Sequence, residues 1–416
     1  MPEPQSAVSR LDSRVGRTYK SYMKSEVELS IVMPCLNEAE TLAICIRKAL
    51  AGLKAAGVTG EVLIADNGST DGSIEIATRE GARVVHVQRK GYGNALRGGI
   101  EAAQGQWIIM GDSDDSYDFS RISGFVEKFR QGYELVMGCR LPVGGGSIAP
   151  GAMPWKNRWI GNPTLSFIGR LFFRSPAHDF HCGLRGFTKA AFAKMELQTT
   201  GMEFASEMII KATLKSMRIT EVPITLHKDG RSRPPHLKPW RDGWRHLRFM
   251  LIYSPRWLFL VPGLLLASLG GIVAAILCGD AVKLNGISFD VGTLLMACMA
   301  LIVGMQLLVF AFSSKVFAIG EGLLPQDPGF ANWFRWFSLE RGLIVGGLCF
   351  LGGLSWLLHS VWVWRSADFG VLSYADNLRR LIPATTLIVL GTQIIFSGFF
   401  LSVLGLKTRN RQPPGN

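Results

Sequence analysis

The chain has 416 residues, of which 48% are hydrophobic, and it carries a formal net charge of +13. This length allows two or three structural units, and the seven cysteines include no C-x-x-C pair, so zinc fingers and disulfide frameworks are excluded and a reducing compartment is favoured. Ten units of the positive surplus lie in residues 1–257. Two explanations of this positive charge are equally favoured. The domain binds an anionic surface or substrate, or the charge reflects the general positive-inside bias of membrane proteins.

Residues 1–28 are polar and basic, without the apolar core of a signal peptide. The sequence predicts a mobile basic tail here, followed by short apolar runs that alternate with helical patterns. Asn37 and Glu40 predict an N-cap and its capping-box partner for the first helix. The predicted strands are 29–33, 61–65, 82–87, 107–110 and 134–138, with helices at 39–56, from Ser73, from Gly93 and at 119–130. This βαβ alternation predicts an α/β domain with a mainly parallel sheet.

A polar motif follows each of the first four predicted strands. In chain order the motifs are PCLNEAE, ADNGSTDGS, QRKGYGNALRGG and GDSDDSYD. Any one of them is good turn chemistry by itself. Because ligands bind at the carboxyl ends of parallel strands, four in succession on one sheet edge predict a binding crevice.

The last motif places four acids within nine residues, namely Asp112, Asp114, Asp115 and Asp118. Turn and helix-cap chemistry is one interpretation, above all for Asp118. An EF-hand is excluded because Tyr117 and Ser123 stand where it needs Gly and Glu. A pair of carboxylates for glycoside hydrolysis is a third interpretation. The fourth interpretation is that Asp112 and Asp114 coordinate a divalent cation that is bound to a diphosphate.

Taken together, VMPCLNE, ADNGSTDG, KGYGNALRGG and GDSDD resemble the nucleotide-sugar half of inverting family-2 glycosyltransferases with the Rossmann-like GT-A fold. The resemblance continues through HDFHCGLRGFTKAAF and MEFASEMIIKA to VPITLHKDGRSR and covers roughly residues 28–235. With a carboxyl-terminal membrane bundle, the whole resembles polyisoprenyl-phosphate glycosyltransferases such as dolichol-phosphate mannose and glucose synthases and their undecaprenyl-phosphate relatives. The resemblance implies inverting transfer of a hexose from a UDP- or GDP-linked donor to a polyisoprenyl phosphate, with Mg²⁺ or Mn²⁺, for cell-envelope glycosylation.

The same resemblance implies roles for individual residues. Nucleotide-sugar binding is expected at Pro34, Asn37, Glu38, Asp66, Asn67, Lys90, Gly91, Asp112 and Asp115. Asp112, Asp114 and Arg185 are expected to be catalytic, with the metal on Asp112 and Asp114 and the acceptor phosphate on Arg185, Arg231 and Arg233. Glu203 and Glu207 are helix acids expected near the acceptor side, with a structural role about equally favoured for Glu203. Asn67 stands where many relatives have a second Asp, which leaves UDP versus GDP open.

Four uncharged apolar runs follow the α/β half, and each is long enough to cross a bilayer as a helix. They are Leu258–Cys278, Val291–Ser314, Gly342–Trp364 and Leu381–Leu406. The sequence therefore predicts a basic tail at 1–28, a catalytic domain at 29–235, an interfacial amphipathic helix at 236–257 and an all-α membrane domain at 258–412. Residues 332–342 form a second amphipathic candidate.

Basic residues before the first run and after the last favour an inner-membrane protein with a cytoplasmic catalytic domain. Arg365, Arg379 and Arg380 oppose this topology, because it places their loop outside. The expected partners are nucleotide sugar, lipid phosphate and membrane, without nucleic acid, and a homo-oligomer is compatible with the sequence.

Three alternatives stay open. NWFRW, from Asn332, differs by one residue from the Gln-x-x-Arg-Trp signature of processive polysaccharide synthases. Transfer to another membrane lipid would need a base to deprotonate a hydroxyl. A non-catalytic scaffold that binds nucleotide sugar is the alternative of another class.

Overall fold

The structure, a computed structural model, describes residues 27–232, 239–325, 329–330 and 339–405. The chain divides into two compact units, with the boundary between Met250 and Leu251. Several predictions fall outside the described residues: nearly all of the basic tail, Arg233, most of the second amphipathic segment and the basic residues at the carboxyl end.

A seven-stranded sheet forms the centre of the first unit, in the order β3-β2-β1-β4-β7-β5-β8. Its pairs are parallel except that β7 runs antiparallel to both β4 and β5. The mainly parallel sheet is confirmed, whereas β7 was not predicted. The strands are β1 Leu29–Cys35, β2 Gly60–Asp66, β3 Arg83–His86, β4 Trp107–Met110, β5 Leu135–Cys139, β7 Arg185–Thr188 and β8 Ile219–Pro223, with β6 Ser147–Ile148 and β9 Thr225–Leu226 as a separate parallel pair.

Apolar residues of the first, second and fourth helices of this unit join strand residues in a buried core. Parallel strands are covered on both faces, which explains why β1 and β5 read as continuous apolar runs. Leu29, Ile31 and Met33 of β1 are fully buried, as is Phe119 beyond β4. The helices are α1 Leu42–Ala56, α2 Ser73–Arg79, α3 Tyr92–Ala102, α4 Ser123–Arg130, α5 Asn162–Phe173, α6 Lys189–Met195, α7 Glu203–Leu214 and α8 Pro239–Ile252.

The predicted start of α1 is wrong. The helix begins at Leu42, its N-cap residue is Thr41, and the Thr41 side chain makes no capping hydrogen bond. Asn37 instead adopts a left-handed conformation at φ 59°, and its Oδ1 accepts a hydrogen bond of 2.8 Å from the Thr70 backbone N–H. The asparagine therefore shapes the loop after β1, a conformation that this residue type tolerates better than most.

Four helices of the second unit are long and apolar enough to cross a membrane, as predicted. They span Arg256–Leu277, Val291–Gly320, Leu339–Ser366 and Tyr374–Leu404. Glycines let neighbouring helices approach closely: a Cβ on Gly304 would lie 2.3 Å from the Ala267 nitrogen, and one on Gly391 would lie 2.5 Å from the Phe350 nitrogen. A hydrogen bond between the side chains of Gln306 and Gln393 joins the second and fourth helices.

Candidate active site

The loops after β1 and β4 are joined at the carboxyl edge of the sheet. The Ser113 hydroxyl donates to the Pro34 carbonyl at 2.8 Å, and the Thr41 hydroxyl donates to the Ser113 carbonyl at 2.7 Å. The β1 loop also meets the loop after β2, since the Asn37 N–H donates to the Ser69 hydroxyl at 3.0 Å. The motifs predicted to form a crevice are therefore brought together.

Asp66, at the end of β2, organises the loop that follows it. Its carboxylate accepts hydrogen bonds from the Gly68 N–H at 3.1 Å and the Ser69 N–H at 3.0 Å. Burial opposes ionisation of Asp66, yet the hydrogen bonds from Ser69 and Gly68 hold its pKa below the ordinary value. The carboxylate is therefore a fixed anion at the edge of the crevice.

Asn67 holds the third motif in place. Its Nδ2 donates to the carbonyls of Val87 at 2.9 Å and Arg89 at 2.8 Å, while its Oδ1 accepts from the Gly91 N–H at 2.9 Å. Lys90 Nζ donates to the Asn67 carbonyl at 2.6 Å. An ionised aspartate could not donate to two carbonyls, so the amide is required by the loop itself.

Asp112 and Asp114 lie in different surroundings. Asp112 accepts a hydrogen bond of 2.9 Å from the Tyr92 hydroxyl, and burial together with the negative charge of Asp114 raises the pKa of Asp112 to about 6. Asp114 Oδ1 accepts from the Ser116 N–H at 3.1 Å and the Ser116 hydroxyl at 2.6 Å. Both carboxylates are oriented by neighbouring side chains or backbone before any ligand binds.

The two remaining acids of the loop have other roles. Asp115 has a left-handed backbone at φ 63° and pairs with Lys48 at 2.7 Å. Asp118 accepts a hydrogen bond from the Ser120 N–H at 3.1 Å and caps the short 3₁₀ turn Phe119–Arg121. The capping role predicted for Asp118 is confirmed.

Arg231 reaches the acidic loop from the segment after β9. One guanidinium nitrogen lies 2.6 Å from Asp114 Oδ2, and the other lies 3.2 Å from Glu38 Oε1. Burial opposes the charge of Arg231, but the carboxylates of Asp114 and Glu38 raise its pKa above the ordinary value. The structure thus brings Glu38, Asp112, Asp114 and Arg231 together.

The donor set fits a divalent cation that arrives with a diphosphate. Within the described part of the chain, no group of three or more His, Cys, Asp or Glu side chains forms a metal site by itself. Mg²⁺ and Mn²⁺ favour carboxylate oxygens and are commonly held by one or two carboxylates plus substrate phosphates. The pKa of Asp112 is raised first by burial and then by the negative charge of Asp114, and a bound cation would offset both effects.

Arg185, predicted to bind phosphate and to be catalytic, is held by backbone carbonyls in this structure, and its functional role stays a prediction. Its side chain is fully buried, and its guanidinium donates to the Cys182 carbonyl at 3.0 and 2.5 Å and to the Ala205 carbonyl at 2.5 Å. Three of its five N–H donors are thus used by the backbone. Arg185 thereby joins the HCGLRG segment to α7.

Glu207 is likewise structural in the described geometry. It is fully buried, lies 2.9 Å from Lys211 Nζ and accepts hydrogen bonds from the backbone N–H groups of Gln198 and Thr199. Glu203 is half-buried in the first turn of α7. The predicted acceptor-side role therefore does not suit Glu207.

Two residues that support the acidic loop were missed at the sequence level. One is Tyr92, whose hydroxyl orients Asp112. The other is Gly183, whose N–H donates to the Tyr117 hydroxyl at 2.9 Å. A Cβ at position 183 would lie 2.9 Å from both Asp112 Oδ2 and the Tyr117 hydroxyl. The HCG tripeptide was part of a recognised motif, but nothing in its residue types indicates that it packs beneath the acids.

Gly183→Ala is expected to lower the rate of glycosyl transfer about 10- to 100-fold, because a displacement of Asp112 by a fraction of an ångström misaligns the reacting groups. Steady-state kinetics of the purified variant measures this effect. Gly292→Ala is the control, since a Cβ there would meet none of the described residues within 4 Å apart from its chain neighbours and its own helix backbone. Equal rates for the two variants would show that Gly183 does not position Asp112.

Comparison with known proteins agrees with this arrangement. Residues 30–195 match the family described as Glycosyl transferase family 2, and residues 312–405 match the Glycosyltransferase family 2 C-terminal transmembrane region. The low-salt glycan biosynthesis hexosyltransferase Agl6 of Haloferax volcanii is 38% identical over 382 residues, which are 91% of this chain and 89% of the relative. A dolichyl-phosphate hexose transferase of the same organism is 28% identical over 52% of this chain and 89% of its own length.

Among solved structures, glucosyl-3-phosphoglycerate synthase from Mycobacterium tuberculosis, in complex with Mn²⁺, UDP and glucosyl-3-phosphoglycerate, is similar at 18% identity and a TM-score of 0.42. That match covers 61% of this chain and 84% of the solved chain.

The two family matches agree with the structure. The first covers most of the sheet and its acidic loop, and the second covers helices that are long and apolar enough to cross a membrane. The chain therefore belongs to glycosyltransferase family 2, and it is an integral membrane hexosyltransferase of that family.

Proposed function

We propose that the enzyme transfers a hexose, with inversion, from a UDP- or GDP-linked donor to a polyisoprenyl phosphate. The observation that carries the proposal is the convergence of Asp112 and Asp114, oriented by Tyr92 and Ser116, with the cation of Arg231. This set combines carboxylates for a diphosphate-bound metal with an arginine for a phosphate. The name of the dolichyl-phosphate hexose transferase, 28% identical to this chain, supports a lipid phosphate as acceptor.

The proposed reaction requires the protein to bind both substrates and to supply positive charge, but it requires no strong general base. A lipid phosphate is already an anion near neutral pH, so its oxygen can attack the anomeric carbon without a strong general base. Asp112 and Asp114 would hold Mg²⁺ or Mn²⁺, which when bound supplies positive charge to the departing nucleoside diphosphate. Arg231 offsets the repulsion between the donor and acceptor phosphates. The remaining proposed donor contacts are Pro34, Asn37, Glu38, Asp66, Asn67, Lys90, Gly91 and Asp115, and Arg233 is proposed beside Arg231 at the acceptor.

An exposed aromatic surface on the catalytic unit supports action at a membrane. Residues 155–174 contain no acid and four basic residues, and the buried face of α5 carries Ser166, Gly169 and Phe173. Large apolar side chains of the same segment are exposed, namely Trp155, Trp159, Ile160, Phe167 and Leu171. Aromatic rings among basic side chains are typical of surfaces that lie on anionic headgroups.

The proposed location is the cytoplasmic face of the inner membrane, where the product would serve cell-envelope glycosylation. Arg379, one of the basic residues between spans three and four, lies 2.6 Å from Asp290 and 3.5 Å from Asp376. The proposed organisation keeps the boundaries 1–28, 29–235, 236–257 and 258–412.

A donor panel tests the proposal. Purified enzyme in detergent is incubated with UDP-linked and GDP-linked hexoses and undecaprenyl phosphate, with Mn²⁺ or with a chelator, and the lipid products are weighed by mass spectrometry. We expect one nucleotide class to give a lipid phosphate with a single hexose, and only when metal is present. A ladder of hexoses would favour a polymer synthase, and full activity in the chelator would contradict the metal site.

A further inference from the structure

Arg231 donates a hydrogen bond to Oδ2 of Asp114, one of the proposed metal ligands. Its guanidinium lies 2.6 Å from Asp114 Oδ2 and 3.2 Å from Glu38 Oε1, and its side chain is 12% exposed. One cation thus compensates two of the acids that converge there. Without it, and without metal, Glu38, Asp112 and Asp114 would repel one another in a poorly solvated site.

Backbone contacts on both sides of Arg231 fix the segment that carries it. The Gly230 N–H donates to the Asp114 carbonyl at 2.9 Å, and the Ser232 N–H donates to Glu40 Oε2 at 2.7 Å. Neither contact involves the guanidinium. The long side chain can therefore leave Asp114 by rotation about its own torsions while the segment stays in place.

A metal ion and this guanidinium compete for Asp114. Mg²⁺ requires carboxylate oxygens at about 2.0–2.1 Å, and Oδ1 of Asp114 is already engaged by Ser116. Metal binding to Oδ2 would place a divalent cation beside an arginine that uses the same oxygen. Two cations this close repel, and the arginine loses its hydrogen bond.

We propose that Arg231 is an exchangeable counter-ion, which compensates the carboxylates of the proposed metal site and is released when the metal of the donor complex binds Asp114. While Arg231 is paired with the carboxylates of Asp114, Glu38 and Asp229, its charge is compensated and its attraction for another phosphate is weak. Once released, it is free to bind the acceptor phosphate. The acceptor phosphate is then expected to bind more tightly after the donor complex has bound, a coupling that rests on the function proposed above.

The first test measures Mn²⁺ affinity without nucleotide, by the electron paramagnetic resonance of free Mn²⁺ in titrations of the full-length enzyme in detergent. Arg231→Ala and Arg231→Gln are expected to bind Mn²⁺ about 10- to 100-fold more tightly than the parent, since a charge-assisted competitor is removed. Arg47→Ala is the matched control: it removes the same charge from an exposed arginine paired with Glu80, which is not among the proposed metal ligands, and we expect less than about a threefold change, because an exposed pair contributes little.

The second test uses the unmodified enzyme. Calorimetric binding of undecaprenyl phosphate is expected to strengthen at least about fivefold when Mn²⁺ and UDP are present, which is within the usual range of coupling between sites. Unchanged or weaker Mn²⁺ affinity in both Arg231 variants, or equal lipid affinity with and without Mn²⁺ and UDP, would overturn the exchange. If Asp114→Asn leaves Mn²⁺ affinity unchanged, the metal assignment itself is wrong, and that failure is separate.

Discussion

Replacing Asp114 by asparagine is expected to lower hexose transfer at least about 1,000-fold, because the metal charge that stabilises the transition state supplies several kcal/mol. Asparagine keeps an oxygen for the hydrogen bonds from Ser116, which orient the side chain at 3.1 and 2.6 Å. The substitution therefore removes charge with little change in the local fold. Initial rates with saturating Mn²⁺ and Mn²⁺ affinity measure the two consequences.

Asp118→Asn is the matched control for this prediction. It makes the same change of charge on the same loop, but Asp118 caps the Phe119–Arg121 turn and is not among the proposed metal ligands. We expect a rate within about threefold of the parent, since asparagine is a cap of similar quality. An Asp114→Asn enzyme that kept more than a tenth of the parental rate and its metal dependence would contradict the role of Asp114.

Replacing Asp179 by alanine is expected to destabilise the catalytic unit by about 3–5 kcal/mol, which is the usual cost of leaving one member of a buried ion pair without its partner. Asp179 is fully buried. It accepts hydrogen bonds from the Arg140 backbone N–H at 2.9 Å and from the Arg140 guanidinium at 2.7 and 2.8 Å. The alanine variant would bury the arginine charge with no counter-ion.

Scanning calorimetry of the full-length protein in detergent checks this second prediction. For a unit of this size, 3–5 kcal/mol corresponds to a fall in Tm of roughly 6–20 °C. Arg140→Met combined with Asp179→Leu should recover part of the loss, because the unpaired charge is removed as well. Arg47→Ala breaks an exposed pair with Glu80 and should change the free energy of unfolding by less than about 1 kcal/mol. Equal Tm values for Asp179→Ala and Arg47→Ala would contradict the argument.

The sequence predicted the strand edges and the membrane helices well, for a physical reason. Buried parallel strands and membrane-spanning helices both consist of continuous apolar runs. Polar residues at the strand ends have few roles other than turns and ligand contacts. The acidic loop was therefore found, and the cap at Asp118 was assigned correctly.

Contacts between distant segments were not predictable in the same way. The strand Arg185–Thr188 begins with a buried arginine, for which the family resemblance alone implied a phosphate contact. The hydrogen-bond partners of Arg185 are backbone carbonyls, and a pattern of side chains carries no information about them. The pairing of Arg140 with Asp179, and of Arg231 with Asp114, also joins segments that only the fold brings together.

The most direct test of the account compares two acceptors, polyisoprenyl phosphate and the corresponding polyisoprenol, with the preferred donor and Mn²⁺. Mass spectrometry of the lipids, with NMR of the anomeric linkage, identifies the product. We predict one hexose on the phosphate-bearing lipid, with inverted anomeric configuration, and no product from the alcohol. Transfer to the alcohol, or retention of configuration, would contradict the proposed attack by a phosphate oxygen.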